Sequence, residues 1–335
     1  MKRFSLLKII VAFIFFSGCI KQTNKDYIKL TGFTQGTTYG VIYYDSQGRN
    51  FSNEIESILL KIDTSMSVYN PESVINAFNN SESGIEVDTM LAEVVKLSSS
   101  INEETYGAFD ITVGPLVSIW GFHMKKGEMP TKEKVDSILI SIGSTKIELH
   151  NQFLSKTSKD VMIDVNAIAQ GYTVDVLARF LKAKGVNNFL IELGGEIITS
   201  GQSPRGDKWI VGVDKPVDNA APGESFQVKL SISNSALVTS GNYRKFFVRD
   251  GVKYSHTIDP KTGFPVTHSL LSATVIDRTA ARADALATAF MVMGVDSTKS
   301  WLARNPGVEV YLIYSNTKGD YEVWMSEGVR KMIKQ

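Results

Sequence analysis

The chain has 335 residues, 43% of them hydrophobic, enough to bury a substantial core. Its 36 Lys and Arg stand against 35 Asp and Glu with no dense basic run, which disfavours nucleic-acid binding, and a single cysteine excludes an intramolecular disulfide framework. Gly, Asn and Pro punctuate short apolar runs with no repeat period and no low-complexity stretch, the pattern of one compact body.

Lys2, Arg3 and Lys8 surround a short apolar run from Ile9 to Phe16 that ends in Ser17-Gly18-Cys19. The run falls short of the ~20 apolar residues a membrane-spanning helix needs but suits the middle of a cleaved export signal. Small residues ahead of the only cysteine resemble a bacterial lipobox, with Phe16 where an aliphatic residue is more usual. Residues 1–18 are therefore read as a lipoprotein signal peptide. Cys19 becomes the lipid-bearing start of an exported chain, anchored to a bacterial membrane and facing the periplasm; its alternative is a buried free thiol. Residues 19–30 read as a polar tether, and 31–335 as one domain without an internal linker.

Ile55, Ile58, Leu59 and Ile62 recur at helical spacing, as do Leu91, Val94, Val95 and Ser98. Thr131 to Ile140 reads as a third helix behind Pro130, and Asp164 to Lys184 as a long one that opens at an Asp cap and stops before Gly185. Strand-like runs stand at Val161 to Ile163, Phe189 to Leu193, Trp209 to Val213, Phe226 to Ile232, Arg244 to Val248, Leu270 to Ile276, Val308 to Tyr314 and Tyr321 to Met325. Irregular alternation, with hairpin turns such as Arg249-Asp250-Gly251, predicts an α+β fold of mixed, largely antiparallel sheets with packed helices rather than a doubly wound parallel sheet.

Asp284 and Thr288 are four residues apart in Ala283-Asp284-Ala285-Leu286-Ala287-Thr288, so on a helix they share a face and offer two hard oxygens to one cation. That pairing suggests Mg2+ and phosphate chemistry. The structural alternative is an Asp favouring its own helix dipole and a Thr bonded back to a carbonyl. A helix start at Asp164 to Ala167 would present backbone N–H groups to an anion, and aromatic and apolar loop residues would hold a flat ring. Taken alone, the residues indicate a metal-dependent enzyme acting on a phosphorylated, ring-bearing ligand.

Nine blocks occur in order: Gly36-Thr37-Thr38-Tyr39, Ser67-Val68-Tyr69, Gly107 to Leu116, Trp120-Gly121-Phe122, Ile163 to Tyr172, Gly194-Gly195-Glu196-Ile197, Thr239 to Arg244, His256 to Gly263 and Ala283 to Thr288. Together they resemble the ApbE family of FAD:protein FMN transferases, over roughly residues 31–326. The resemblance implies one compact α+β body with an elongated nucleotide cleft and Mg2+ near the pyrophosphate of FAD. Matched block by block, it makes Asp284 and Thr288 metal-binding side chains and gives Ala167 a backbone contact to the metal. It assigns flavin-nucleotide contacts to Gln35, Tyr69, Ala108, Phe109, Asp110, Asp164, Gln170 and Ile258. Gln35 stands where the family often has Met, and Gln170 where a charged residue is common.

The implied reaction is attack by a threonine or serine hydroxyl of a target flavoprotein on the FMN-side phosphorus of FAD, releasing AMP. Acceptors would be flavin-bearing subunits of membrane redox complexes. His256 is the expected base and Asp284 the other residue of the catalytic machinery, although His256 would also serve as a turn brace to Asp259. The same site would support two rivals: an Mg2+-dependent FAD pyrophosphatase using water, or a flavin-binding lipoprotein with no chemistry. Ser272-Ala273-Thr274 superficially matches an acceptor motif but reads as strand, because the run continues into Val275 and Ile276.

Overall fold

The computed structural model describes residues 26–121, 129–215, 226–242, 246–249, 252–255 and 257–334. A hairpin of β1 (Ile28–Thr34) and β2 (Thr37–Tyr44) opens the described chain, so the sheet begins inside the stretch read as a tether. Helix α1 (Ser52–Met66) follows, buries Ile55, Leu59 and Ile62, and leads into α2 (Val74–Asn80). Next come β3 (Gly84–Glu86), α3 (Thr89–Glu104), α4 (Gly114–Ile119) and α5 (Lys132–Leu139). The hydroxyl of Thr131 caps α5 and the carboxylate of Asp88 caps α3, each filling an orphan N–H of a helix start. β4 (Ile147–His150) and β5 (Phe153–Lys156) then close a small β3-β5-β4 sheet.

Helix α6 (Ala169–Ala183) precedes β6 (Asn188–Leu193) and β7 (Glu196–Ser200), which are joined through Gly194-Gly195. β8 (Trp209–Asp214) pairs with β9 (Phe226–Ile232), and β10 (Ser235–Gly241) follows. β11 (Phe246–Arg249) and β12 (Val252–Ser255) pair with Arg249 opposite Val252, the register of the expected hairpin. The chain ends with β13 (Leu270–Asp277), α7 (Ala280–Arg304), β14 (Glu309–Ser315), β15 (Tyr321–Met325) and α8 (Glu327–Met332).

The main sheet runs β1-β2-β6-β7-β10-β13-β14-β15, every neighbouring pair antiparallel. Strand alternation sends Val41, Ile191, Val238, Val275 and Val310 to one face, where α1, α3, α6 and α7 build the larger core. Leu237, Ile276, Tyr311 and Ile313 face the other way, onto Val211 and Leu230 of the β8–β9 hairpin and Val329 of α8. A third, small core joins Leu116, Trp120, Val135, Ile142 and Ile258. The α+β expectation holds, and Ser272-Ala273-Thr274 is buried strand.

Two expectations need correction. The long helix starts at Ala169, five residues later than its apolar spacing suggests. Asp164 does not cap it, because its carboxylate accepts the N–H of Asn166 in a tight turn (2.8 Å). Val161 to Ile163 is not a strand. Its end is bonded by a side chain instead: Asn79 donates to the carbonyl of Ile163 (2.9 Å) and accepts its N–H (2.8 Å).

Candidate active site

Helix α7 is lined with alanine where it crosses α6, and the crossing is close. A Cβ at Gly171 would lie 2.4 Å from the carbonyl oxygen of Ala280, so only glycine lets the helices meet there. Asp284 lies in the same crossing, 5% exposed, and its carboxylate accepts the N–H of Gly171 in the first turn of α6 (3.1 Å). Burial pushes this carboxyl up to about 7, and the nearby Asp175 carboxylate adds to the rise while the Gly171 N–H opposes it. One turn on, the Thr288 hydroxyl stands 3.3 Å from the hydroxyl of Ser240 at the end of β10. Asp284 and Thr288 thus share one face of the α7 start, with Ser240 of β10 against Thr288. Ala167 is in the turn just ahead of α6, four residues before Gly171.

The expected nucleotide contacts form a chain leading away from this point. Gln35, at the β1–β2 turn, donates to the Thr173 hydroxyl of α6 (2.8 Å), and the Gln170 amide lies against the Gly194 turn beside Thr37 and Glu196. The hydroxyl of Tyr69 bonds to Asn166, in the turn held by Asp164. The N–H of Asp164 reaches the Ile111 carbonyl (2.7 Å), which brings in the Gly107 to Pro115 block. There Asp110 accepts from the N–H and hydroxyl of Thr112 (2.8 and 2.6 Å) and from the Asn102 amide (3.2 Å), while burial raises its carboxyl above the usual range.

Beyond Asp110 opens a pocket of about 440 Å³, lined in part by Asn102, Gly107, Ser144, Thr145, Pro260 and Lys261. Ala108 and Phe109 are buried, and the Phe109 ring belongs to the main core, so a contact to a ligand there would come from the backbone. Ile258 is likewise a core residue of the 257–266 turn, which Trp120 fastens by donating to the Gly263 carbonyl (2.8 Å).

His256 and Cys19 lie outside the described residues. The neighbour of His256, Thr257, donates to the Asn242 amide oxygen (2.7 Å), two residues from Ser240. Among the described residues no three His, Cys, Asp or Glu side chains converge as a metal cluster. Sequence reasoning missed Asp175, Asn102 and Ser240 as individuals. Asp175 stands four residues after Gly171, on the same helix face, and Ser240 falls within a motif block; nothing in the sequence marks Asn102.

The ApbE family profile matches residues 35–312 of this chain. The chain belongs to the ApbE family. It is 35% identical over 296 residues to the FAD:protein FMN transferase of Vibrio cholerae, covering 86% of this chain and 87% of that one. Against the enzyme of the same name from Escherichia coli K12 it is 33% identical over 341 residues, covering 96% and 95%. The solved structure of the flavin transferase ApbE from Vibrio cholerae superposes with a TM-score of 0.82 at 33% identity, covering 92% of this chain and 99% of that one. The apo flavinyl transferase ApbE of Pseudomonas stutzeri gives 0.82 at 31%, covering 92% and 96%. ApbE membership accounts for the α+β fold and for the order of the motif blocks.

Proposed function

We propose that the chain transfers FMN from FAD to a threonine or serine hydroxyl of a target flavoprotein, forming a phosphoester and releasing AMP. The observation that carries the reading is the buried carboxylate of Asp284 one helical turn from Thr288, whose hydroxyl meets that of Ser240, in a chain whose relatives bear the name of this activity. These donors fit Mg2+. All are hard oxygens, and the carboxylate, raised by burial, gains most from a cation that displaces its proton. Asp284, Thr288 and the Ala167 carbonyl would hold the ion. Bound there, it would neutralise pyrophosphate charge and favour departure of AMP.

The protein residues bind and orient. Asp110 and Asn102 form a fixed polar edge on the pocket, the size of which suits one ring-bearing half of a dinucleotide. Tyr69 and Asp164 meet at Asn166 in the turn ahead of α6, and Gln170 lies in the first turn of that helix next to Gly171. His256 takes the proton of the attacking hydroxyl as oxygen bonds to the FMN-side phosphorus and the bond to the AMP oxygen breaks. We further infer that Cys19 carries a lipid, that the protein faces the periplasm, and that its acceptors are subunits of membrane redox complexes. The motif Ser17-Gly18-Cys19 supports the anchor, and among the described residues no helix is long and apolar enough to cross a membrane.

Intact-mass measurement of an acceptor flavoprotein after incubation with FAD and Mg2+ tests the activity. A covalent FMN adduct is expected. Free FMN and AMP without adduct would establish a pyrophosphatase instead, and unchanged FAD a binder.

A further inference from the structure

Each of the two helices at the site has N–H groups of its first turn bonded by a carboxylate of the other. The first N–H groups of α7, on Ala280 and Ala281, donate to the two carboxylate oxygens of Asp175 on α6 (2.8 and 2.9 Å). In return, Asp284 of α7 accepts from Gly171 in the first turn of α6. Thr279, the residue in cap position of α7, makes no side-chain cap bond, so the cap is supplied wholly from α6. Asp175 is 7% exposed, has no role among the nucleotide or metal contacts, and lies one turn from Gly171, just as Asp284 lies one turn from Ala280.

We propose that Asp175 is a positioning residue for the metal site: it clamps the start of α7 to α6 so that Asp284 and Thr288 are presented together. The inference rests on the transferase reading for the identity of the ion. Two anchored N–H groups fix both the position of the α7 start and its rotation about its own axis. Rotation decides whether Asp284 and Thr288 face the same point. A bidentate carboxylate is needed for this, because a single acceptor would leave α7 free to pivot and one buried N–H unpaired. The clamp also places a second negative charge near Asp284, which favours a cation there.

Asp175→Asn keeps the side chain's size but sets an NH2 group against one of the two N–H donors. The expected result is a folded protein by circular dichroism whose Mg2+ binding, measured by calorimetry without FAD, weakens by about 10- to 100-fold, as for other residues that orient metal ligands. The Mg2+ concentration for half-maximal FMN transfer should rise by the same factor, with much of the rate recovered at saturation. Thr279→Asp added to Asp175→Asn gives α7 a local cap and so safeguards folding. Its melting temperature should recover while its Mg2+ binding stays weak.

A folded Asp175→Asn protein with unchanged Mg2+ affinity would overturn the proposal. So would recovery of Mg2+ affinity by the local cap alone, since that would make Asp175 a helix cap and nothing more. If the wild-type protein bound Mg2+ but formed no FMN adduct, and Asp175→Asn still weakened that binding, the clamp would be supported and the transferase reading would fail.

Discussion

At the residue scale, the site turns on a carboxylate kept in a place that disfavours its charge. Asp284→Ala should abolish Mg2+ binding and FMN transfer while the circular dichroism spectrum stays native; near wild-type, Mg2+-dependent transfer by that variant would remove Asp284 from the site. The pH dependence follows from the raised carboxyl, about 7 in the folded protein against 3.8 for an ordinary aspartate. Below pH 7 a proton competes with the ion, so Mg2+ affinity should rise up to about tenfold per pH unit and flatten above 7. The metal-free protein should show the opposite trend. Above 3.8, where an unfolded aspartate ionises, and up to about 7 for Asp284 and about 6 for Asp175, both raised by burial, the folded protein keeps protons that the unfolded chain has already released. Stability should therefore fall as pH rises through that window, and saturating Mg2+ should reverse the loss, which thermal melts from pH 4 to 8 would check. Asp284 and Thr288 were legible because four-residue spacing defines a helix face without knowledge of the fold. Asp175 was not, because its partners are backbone N–H groups 105 and 106 residues away.

Among the elements, the α6–α7 crossing is the joint on which the site depends. Gly171→Ala would drive a methyl group into the Ala280 carbonyl, and overpacking of this kind typically costs ~1–3 kcal/mol. A lower melting temperature together with loss of Mg2+ binding is expected, and a variant that melts and binds like wild type would show that the crossing yields easily. Helix α7 has a second notable point further along. It breaks at Gly294, where φ is 74° and a Cβ would meet the His268 ring, so Asp284 and Thr288 belong to its first segment alone. Apolar spacing reveals α1, α3 and α5 and, after residue 188, β6, β8, β9, β11, β13, β14 and β15, whereas β7, β10 and β12 do not stand out in it. The start of α6 misled because Val165 and Ile168 are buried at helical spacing in a turn that is not helix. Val161 to Ile163 misled because an extended run needs a partner, and here the partner of Ile163 is the side chain of Asn79.

For the whole molecule, the antiparallel α+β class was legible in the turn-rich strands, but the order of the main sheet was not. β2 pairs with β6 across some 140 residues that hold helices α1 to α6 and a separate small sheet, and no local signal encodes such a pairing. The strands of that small sheet have three or four residues each, too few for alternation to show. Removing the chain after Ser326 would expose the partners of Val329 and cost at least the ~1.5–3 kcal/mol of one buried valine, yet FAD and Mg2+ binding should survive at temperatures where the truncated protein is folded. Loss of binding in the folded truncation would tie α8 to the site. The two faces of the sheet therefore need not open together. Parts of a protein exchange their amide hydrogens through separate local openings, and a ligand slows only those openings that disrupt its site. With Asp284, Thr288 and Ser240 all on the α6–α7 face, saturating Mg2+ and FAD should retard exchange in those two helices and leave β8, β9 and α8 exchanging at their unliganded rates, so that half of the molecule is free to breathe while the other half is held.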